Sequence, residues 1–280
     1  LMKNKVAVVC FFIIVLLILS CIIVPFFSPF ESREQHLGEV NKGFMTVCTD
    51  SRYEGQHHVH YFGTDNLGRD LFLRAFEGRV SLMIAFAAVF VNLIVGLIYG
   101  GISGYIGGAV DTIMMRIVEI VNGIPYLIVV ILLMMVLPKG IFTMVVAYGI
   151  TGWTGMARLV RGQVLQLKSQ EYIVAAEAMG AKSSRIIAKH LIPNALSVII
   201  INVTLAIPSA IFTEAFLSYI GLGVPVPQPS WGVLAKGGQD VFMTYPYQLV
   251  VPAVAISLTM LSFNLLGDGL RDAFDPRLRR

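Results

Sequence analysis

The chain has 280 residues, of which 56% are hydrophobic and only 14% are charged, with a formal net charge of +4. A soluble globular domain has about a quarter of its residues charged, so this composition excludes an ordinary soluble protein and predicts one embedded in a membrane. The sequence has no GxxxxGKS or GxxxxGKT phosphate loop, no metal-ligand spacing of Cys and His, and no nucleophile and base pattern, so we do not expect an enzyme.

Six apolar runs are long enough to cross the hydrocarbon core of a bilayer, which needs about 20 helical residues. They are residues 6–27, 80–103, 112–137, 141–163, 195–219 and 247–266. Strands of alternating polar and apolar residues are absent, and an open sheet edge would lack hydrogen-bond partners in lipid. The sequence therefore predicts an all-α, polytopic membrane protein with six transmembrane helices.

The first unit, residues 1–27, could be mistaken for a signal peptide because Lys3 and Lys5 precede its apolar run. That run is longer than the apolar region of a signal peptide, which has about 7–15 residues, and VPFFSPF offers no A-x-A cleavage pattern. We therefore expect a retained N-terminal anchor helix. The start at Leu1, directly before the helix, leads us to expect a short extension ahead of these residues.

Residues 28–77, which we call the polar segment, have mixed charge without a positive bias. The stretch FGTDNLGRD concentrates Asp65, Arg69 and Asp70 between glycines. We favour a structural turn held by internal ion pairs, with a docking surface for a soluble partner as the alternative. On that alternative the extracytoplasmic docking candidates are Asp65, Arg69, Asp70 and, from the later PQPSWG stretch, Trp231.

Three histidines of the polar segment, His57, His58 and His60, could together catch a metal ion. Clustered histidines without a matching spacing of carboxylates or cysteines are a weak metal signal. Cys48 stands alone outside the apolar runs, so no disulfide framework is available. We expect a solvated loop here and no metal.

Residues 78–280 form the predicted membrane core, with five transmembrane helices. Small residues that permit close helix packing recur about a helix turn apart, at Gly96, Gly100, Gly101 and Gly104. Gly123 and Pro125 in one helix, and Pro208 in another, free backbone groups and favour kinks.

A basic loop, residues 164–194, interrupts the apolar core with the stretch AAEAMGAKSSRIIAKHLIP. Ser169 can cap a short helix, and Gly180 can end it in a left-handed turn. A second short helix can begin at Ser183 or Ser184 and is expected to end near Pro193. Two brief helices joined at a glycine make a compact elbow.

This loop offers an almost side-chain-free patch at Ala175, Ala176 and Gly180, which another backbone can approach closely. Its apolar anchors are Met179, Ile186, Ile187 and Leu191. The residues alone favour two interpretations equally. One is a docking site for a partner, and the other is an amphipathic loop on the lipid headgroups, held by Lys182, Arg185 and Lys189.

Lysines and arginines near the helix ends set the orientation of a membrane protein. They are Lys3, Lys5, Arg158, Arg161, Lys168, Lys182, Arg185, Lys189, Arg271, Arg277, Arg279 and Arg280. With six crossings all of these fall on one side, which the positive-inside rule makes the cytoplasm. Both termini are then cytoplasmic and the polar segment is extracytoplasmic.

Polar residues inside apolar runs are functional candidates, because an ionisable group is costly in lipid. The candidates for lining or gating a pathway through the membrane, should the chain form one, are Asn122, Asn202, Pro208 and Glu214. For Glu214 we favour a packing or loop-anchoring hydrogen bond over contact with a substrate. Arg116 and Glu119, three residues apart, are expected to pair with each other.

The basic loop contains two alanines, three residues, a glycine, nine residues, and then His190 leading into Leu-Ile-Pro. This spacing resembles the EAA loop of bacterial ABC importer permeases, the coupling helix that docks in a cleft of the ATPase subunit. Val174 stands where that family has Glu, and His190 stands where it usually has an apolar residue. A contact made by the family's Glu therefore does not carry over to this chain.

Other stretches are similar to the oligopeptide and dipeptide branch of that family, the OppC/DppC type. They are FGTDNLGRD, SGYIGGAVD, WTGMARLVRGQVL, TEAFLSYIGLG, PQPSWG and FNLLGDGLRDAFDPRLR, in the expected order. The resemblance covers nearly the whole chain except residues 31–59.

The resemblance implies the type I ABC importer transmembrane-domain fold in a bacterial inner membrane. It implies one subunit of an ATP-driven peptide importer, which forms half of the translocation pathway and binds lipid and peptide but no nucleic acid. The implied partners are a homologous permease (OppB/DppB type), two ATPases (OppD/OppF type) that hold ATP and Mg²⁺, and an extracytoplasmic peptide-binding protein. No cofactor is expected on this chain. The residues implied in ATPase coupling are Glu171, Ala175, Ala176, Met179, Gly180, Arg185, Ile187, His190 and Pro193.

Two alternatives stay open. A permease for nickel or another small solute resembles the same branch. An ion-coupled secondary transporter would prefer several ionisable groups at mid-membrane and repeated halves with broken helices. The sequence offers one deep acid and no repeat.

Overall fold

The computed structural model describes residues 4–53, 58–225 and 227–274. Five residues named in the sequence predictions lie outside this described part. They are Lys3, Arg277, Arg279 and Arg280 of the orientation prediction and His57 of the histidine cluster. The chain opens with helix α1, Lys5–Phe27, whose first turn is capped by the Asn4 side chain accepting from the Ala7 amide. Helix α1 packs against the last helix of the chain.

The polar segment is folded rather than an open loop. Two short strands, β1 (Thr46–Val47) and β2 (Val59–His60), pair antiparallel, and single 3-10 turns cover Leu37–Glu39 and Ser51–Tyr53. Helix α2, Leu71–Phe76, follows with Asp70 as its N-cap. The segment is fastened to the start of the last helix, where the Gln248 amide donates to Asn41 Oδ1 at 2.8 Å.

Helix α3, Arg79–Ile106, leads to α4, Gly108–Asn122, and α5, Tyr126–Val136. The last two are bent by 78° relative to each other, at the break that contains Gly123 and Pro125. The kink predicted at these two residues is confirmed. Proline removes a backbone hydrogen-bond donor, and glycine does not restrict the backbone against bending. The predicted span 112–137 is therefore broken into two helices.

Helices α6, Ile141–Thr151, and α7, Trp153–Lys168, are separated by Gly152. They lie where the sequence predicts one continuous span, residues 141–163. Helix α7 packs along α3, and the small residues of α3 permit the close approach. A Cβ on Gly100 would lie 2.3 Å from the Ala157 carbonyl oxygen, and one on Gly104 would lie 2.9 Å from the Arg161 carbonyl oxygen. The predicted close packing is confirmed.

The basic loop contains α8, Glu171–Ala178, and α9, Ser183–Ile186, as two short helices. A π-helical turn, Ile187–Leu191, joins α9 directly to α10, Ile192–Tyr219. The expected helix end near Pro193 is therefore wrong. Pro193 is the second residue of α10, which directly follows the π-helical turn, so the chain stays helical across it.

Helix α11, Trp231–Asp240, begins at the N-cap Ser230 and packs on α12, Tyr247–Phe274, and on α10. No helix is predicted from the sequence between the spans 195–219 and 247–266, where α11 forms. Gly267 of α12 approaches α10 closely, and Gly269 approaches α1, with its Cβ position 2.2 Å from Ala7 Cβ. Helix α12 therefore packs against α10 and against α1, the first helix of the chain.

Among the described residues, four continuous or nearly continuous helical stretches are long and apolar enough to cross a membrane. They are Lys5–Phe27, Leu71–Ile106, Ser183–Tyr219 and Tyr247–Phe274, and the bent pair α4 and α5 makes a fifth if it counts as one span. The predicted sixth, residues 141–163, is not among them, because it is divided at Gly152 and its second half carries Arg158 and Arg161. Large apolar side chains such as Phe12 and Leu16 point outward, as expected of a surface that faces lipid.

Candidate functional site

The turn after α8 is built as the sequence predicts. Gly180 adopts φ +78, a left-handed conformation that glycine takes without steric cost. The Gly180 amide donates to the Glu177 carbonyl, and the Ala181 amide donates to the Ala176 carbonyl. These two bonds form a Schellman cap, which satisfies carbonyls left free at the helix end.

The predicted cap at the other end of α8 is wrong. Gln170 is the N-cap and contributes no side-chain hydrogen bond. Ser169 instead ends α7, and its hydroxyl donates to the Gln166 carbonyl at 3.3 Å.

The nine predicted coupling residues divide by their exposure. The exposed ones are Glu171, Ala175, Met179, Gly180, Arg185 and Pro193; Ile187 and His190 are half-buried, and Ala176 is buried. Met179 is 82% exposed and Val174 is 55% exposed. A Cβ on Gly180 would meet no atom within 4 Å. The turn between α8 and α9 therefore presents an open, partly apolar surface.

Two of the four predicted partner anchors face inward instead. Ile186 and Leu191 are completely buried within this chain, where they pack in one cluster with Ile173, Val160 and Val164. Their physical role is to hold the basic loop against α7 and α10. Met179 is the strongly exposed apolar anchor, with Ile187 partly covered.

Polar contacts also tie the basic loop to the end of α3. The Tyr105 hydroxyl donates to Glu177 Oε1 at 2.9 Å, and the Lys168 ammonium donates to the Tyr105 carbonyl. Sequence reasoning missed this connection because its partners are far apart along the chain.

A second polar connection joins three helices. Both carboxylate oxygens of Asp111 in α4 accept from Arg161 in α7, and the Ser103 hydroxyl in α3 donates to the same carboxylate. A bidentate arginine pair of this kind fixes geometry as well as charge. The stretch SGYIGGAVD, singled out for its resemblance alone, contains two of these partners.

The pathway candidates do not form one cluster. Asn202 shares a cavity of about 320 Å³ with Asn92, Ser209 and Tyr148. Asn122 is exposed at the end of α4, where its side-chain oxygen accepts from the Thr154 hydroxyl at 3.3 Å.

The other two candidates, Pro208 and Glu214, are buried in α10. Ser218 donates to Glu214 Oε1 at 2.7 Å. Ser81 and Ser230 also face this carboxyl group, but Oε2 has no partner within hydrogen-bond distance. Glu214 thus contacts the chain's own hydroxyl groups.

The four docking candidates are all buried, so they do not offer a surface to a soluble partner. Asp65 Oδ2 accepts from Arg69 Nε at 2.7 Å, and Asp70 caps α2. Trp231 donates from its indole to the Ala75 carbonyl at 2.8 Å and is 1% exposed. The ion pair and the helix cap bear out the structural turn favoured from FGTDNLGRD, whereas docking of a partner at these side chains stays a prediction that their burial disfavours.

The expected solvated histidine loop is also wrong for His60, which is fully buried. Its Nδ1 lies 2.7 Å from Asp70 Oδ2, and its Nε2 lies 3.1 Å from Glu39 Oε2. Burial lowers the pKa of His60, but the carboxylates of Asp70 and Glu39 outweigh it and raise that pKa above its ordinary value.

The ion pair predicted between Arg116 and Glu119 is confirmed. On the exposed surface of α4, Arg116 Nη1 lies 2.7 Å from Glu119 Oε2.

The chain matches two described protein families, which together cover most of its length. Residues 92–280 match the family described as the binding-protein-dependent transport system inner membrane component. Residues 1–43 match the N-terminal TM domain of oligopeptide transport permease C. The chain belongs to this family of transport permeases. It is a multi-pass membrane protein and a transport permease subunit of the OppC/DppC type.

Relatives of the permease align along nearly its whole length. The oligopeptide transport system permease protein OppC of Bacillus subtilis (strain 168) is 50% identical over 99% of this chain and 88% of its own. The dipeptide transport system permease protein DppC of the same organism is 48% identical, over 99% of this chain and 84% of its own. OppC of Escherichia coli (strain K12) is 43% identical, over 99% of this chain and 89% of its own.

Solved structures show the permease's fold. The inward-facing MetNI methionine ABC transporter matches with a TM-score of 0.58 and 21% identity, over 73% of this chain and 98% of that one. An amino acid ABC transporter with histidines matches with a TM-score of 0.54 and 18% identity, over 72% and 94%. The predicted type I ABC importer transmembrane fold is confirmed.

Proposed function

We propose that this chain is one of the two transmembrane subunits of an ATP-driven peptide importer. The observation that carries the proposal is 48–50% identity, along almost the entire chain, to an oligopeptide permease and a dipeptide permease. The chain forms half of the translocation pathway, and a homologous second permease supplies the other half. Peptide arrives from an extracytoplasmic binding protein.

The basic loop is the contact with the ATPase subunits. Its exposed turn presents the Met179 side chain beside the left-handed backbone of Gly180, a shape that suits a cleft in a partner protein. The side chains of Ile173, Ile186 and Leu191 are buried and pack the same loop against α7 and α10. A force applied to α8 therefore moves packed elements and is not absorbed by a loose loop.

Two routes carry that movement into the membrane. Helix α9 continues through the π-helical turn into α10, which contains Glu214 and the cavity-lining Asn202. The hydrogen bond between Tyr105 and Glu177 leads to α3. Closure of the ATPases on ATP shifts α8, and α10 and α3 then alter access to the pathway, as in a switch between two packed arrangements.

Orientation and cofactors follow from the same proposal. The basic loop and both termini face the cytoplasm of a bacterium, and the polar segment faces outward, since lysine and arginine are concentrated at the loop and helix ends. ATP and Mg²⁺ are bound by the two ATPase subunits, and this chain contributes no nucleotide site.

The test is purification of the tagged chain in mild detergent from cells that express the whole system. We expect a second permease and two ATPases to co-purify, and we expect peptide-loaded binding protein to raise ATP turnover above the level with unloaded binding protein. The same assay with Ni²⁺ in place of peptide distinguishes the small-solute alternative. Recovery of the chain without ATPase subunits, or turnover that responds only to Ni²⁺, would overturn the proposal.

A further inference from the structure

Three buried side chains of the polar segment bring different donor atoms together. His36, Glu39 and Cys48 offer one nitrogen, one oxygen and one sulfur atom, which all lie within 4.8 Å of one another. Their residues are 1%, 2% and 7% exposed. We infer that these three residues bind a Zn²⁺ ion, which has a structural role in the polar segment and is independent of the cargo that the permease transports.

His36 is prepared to act as a ligand. Its Nδ1 lies 2.9 Å from Asp50 Oδ2, so the carboxylate fixes the orientation of the ring. Its Nε2 is buried and has no hydrogen-bond partner, and the nearest carboxylate oxygen, of Glu34, is 3.8 Å away. A histidine held by a carboxylate on one nitrogen, with the other nitrogen free, is the common arrangement at zinc. A buried polar atom without a partner also requires an explanation, and a bound ion supplies one.

Glu39 is held in a comparable way. Its Oε1 accepts hydrogen bonds from the amide and the hydroxyl of Thr49, which fix the carboxylate. Its Oε2 faces the other donors, at 3.4 Å from Cys48 Sγ and 3.1 Å from His60 Nε2. Oε1 therefore positions the carboxylate, and Oε2, which here accepts from the Cys48 thiol and pairs with His60, is the oxygen for coordination once that thiol loses its proton.

The donor set selects the metal. Mg²⁺ and Ca²⁺ prefer sites built from oxygen ligands alone, whereas nitrogen and thiolate ligands with one carboxylate suit Zn²⁺. On binding, the Cys48 thiol loses its proton to solvent and the thiolate binds the ion. His60, fully buried, is held between Asp70 and Glu39 and borders the three proposed ligands.

The segment has a physical need for such a cross-link. Its regular structure consists of two strands of two residues, two single 3-10 turns and the six-residue helix α2. The proposed ligands belong to one of those turns and to the chain directly after β1. A small unit with so little regular structure commonly depends on disulfides or a metal for stability. All three cysteines are free, so a metal is the available cross-link.

The test uses the full complex, purified through a tag that binds no metal, then dialysed against excess Zn²⁺ and afterwards against buffer without metal. Metal content is measured by mass spectrometry for the wild type, Cys48→Ser and His36→Gln. We expect about one Zn²⁺ per chain in the wild type and at least a several-fold loss in both variants. Cys21→Ser, which changes a buried cysteine of α1, is the matched control and should retain the wild-type content. Equal Zn²⁺ content in Cys48→Ser and the wild type would overturn the inference.

A second measurement separates metal binding from misfolding of a variant. In a chain with Cys10→Ser and Cys21→Ser, Cys48 is the remaining thiol, and its rate of reaction with a maleimide can be followed. We expect Zn²⁺ to slow the reaction several-fold and EDTA to restore it. Replacement of Zn²⁺ by Co²⁺ should also produce a thiolate charge-transfer absorption band. If neither Zn²⁺ nor EDTA changes the reaction rate, and Co²⁺ produces no charge-transfer band, the site is also refuted.

Discussion

Gly237 and Gly238 are adjacent in α11 but have different surroundings. A Cβ on Gly237 would meet nothing within 4 Å, whereas a Cβ on Gly238 would lie 2.5 Å from the backbone of Gln248 in α12. Gly238 is therefore required by the close approach of two helices. Gly237 is required by nothing in the surrounding structure.

This difference predicts opposite results for two single substitutions. Gly238→Ala should destabilise the protein by about 1–3 kcal/mol, because the methyl group forces α11 away from α12. Gly237→Ala should be neutral or stabilise by up to about 1 kcal/mol, because alanine favours the helix. The midpoint of thermal unfolding of the detergent-solubilised complex measures both. Equal midpoints for the two variants would contradict the assigned packing.

Single residues also show what a sequence can reveal about a site. The charges of Asp65, Arg69 and Asp70 predict an ion-paired turn, and the structure confirms it. Their burial could not be predicted, because it depends on α12 and other elements distant in the chain. Trp231 illustrates the same limit, since its indole partner is 156 positions away.

At the level of whole elements, the contact between α3 and α7 depends on three glycines. Gly96, Gly100 and Gly104 lie on one face of α3, and a Cβ on each would come within 3.0 Å of α7 atoms. Small residues allow helix backbones to approach, and in lipid this packing replaces the hydrophobic effect between helices.

Gly100→Ala should therefore separate α3 from α7 and lower the yield and thermal stability of the complex, by about 1–3 kcal/mol for one inserted methyl group. Gly162→Ala is the control on α7, because a Cβ there meets nothing within 4 Å. Size-exclusion chromatography and thermal unfolding report the outcome. If Gly100→Ala behaves like Gly162→Ala, the glycine contact does not hold these helices together.

Apolar length predicted the elements well where a helix is uninterrupted, as in α1, α3, α10 and α12. Breaks were predictable where proline accompanies glycine, as at Gly123 and Pro125. The break at Gly152 was missed because glycine without a neighbouring proline is often tolerated inside a helix. At Pro193 the sequence predicted a helix end that does not exist. The sequence does not reveal that this proline falls in the first turn of α10.

Across the whole molecule, contacts between segments remote in sequence link the exposed basic loop to the membrane helices. Asp111, Arg161 and Ser103 join α4, α7 and α3 at one place. Tyr105 and Glu177 join α3 to α8 close by. No periodicity or motif predicts such contacts, since they arise from the tertiary fold.

The coupling proposal leads to a prediction about Gly180. Gly180→Val should leave insertion and assembly intact, because a side chain there meets no neighbouring atom. It should uncouple peptide from ATP turnover, because a left-handed conformation costs a residue with a Cβ at least about 1 kcal/mol and opens the Schellman cap.

Gly180→Asn provides the control, since asparagine tolerates the left-handed region far better than a β-branched residue. We expect Gly180→Asn to retain most of the peptide-stimulated ATP turnover and Gly180→Val to lose most of it, at equal amounts of assembled complex. This comparison separates the backbone conformation from the mere presence of a side chain at the contact. Equal turnover in both variants and the wild type would mean that the ATPases bind a different part of the chain. Equal loss in both would mean that the bare surface of Gly180, rather than its conformation, is what the partner requires.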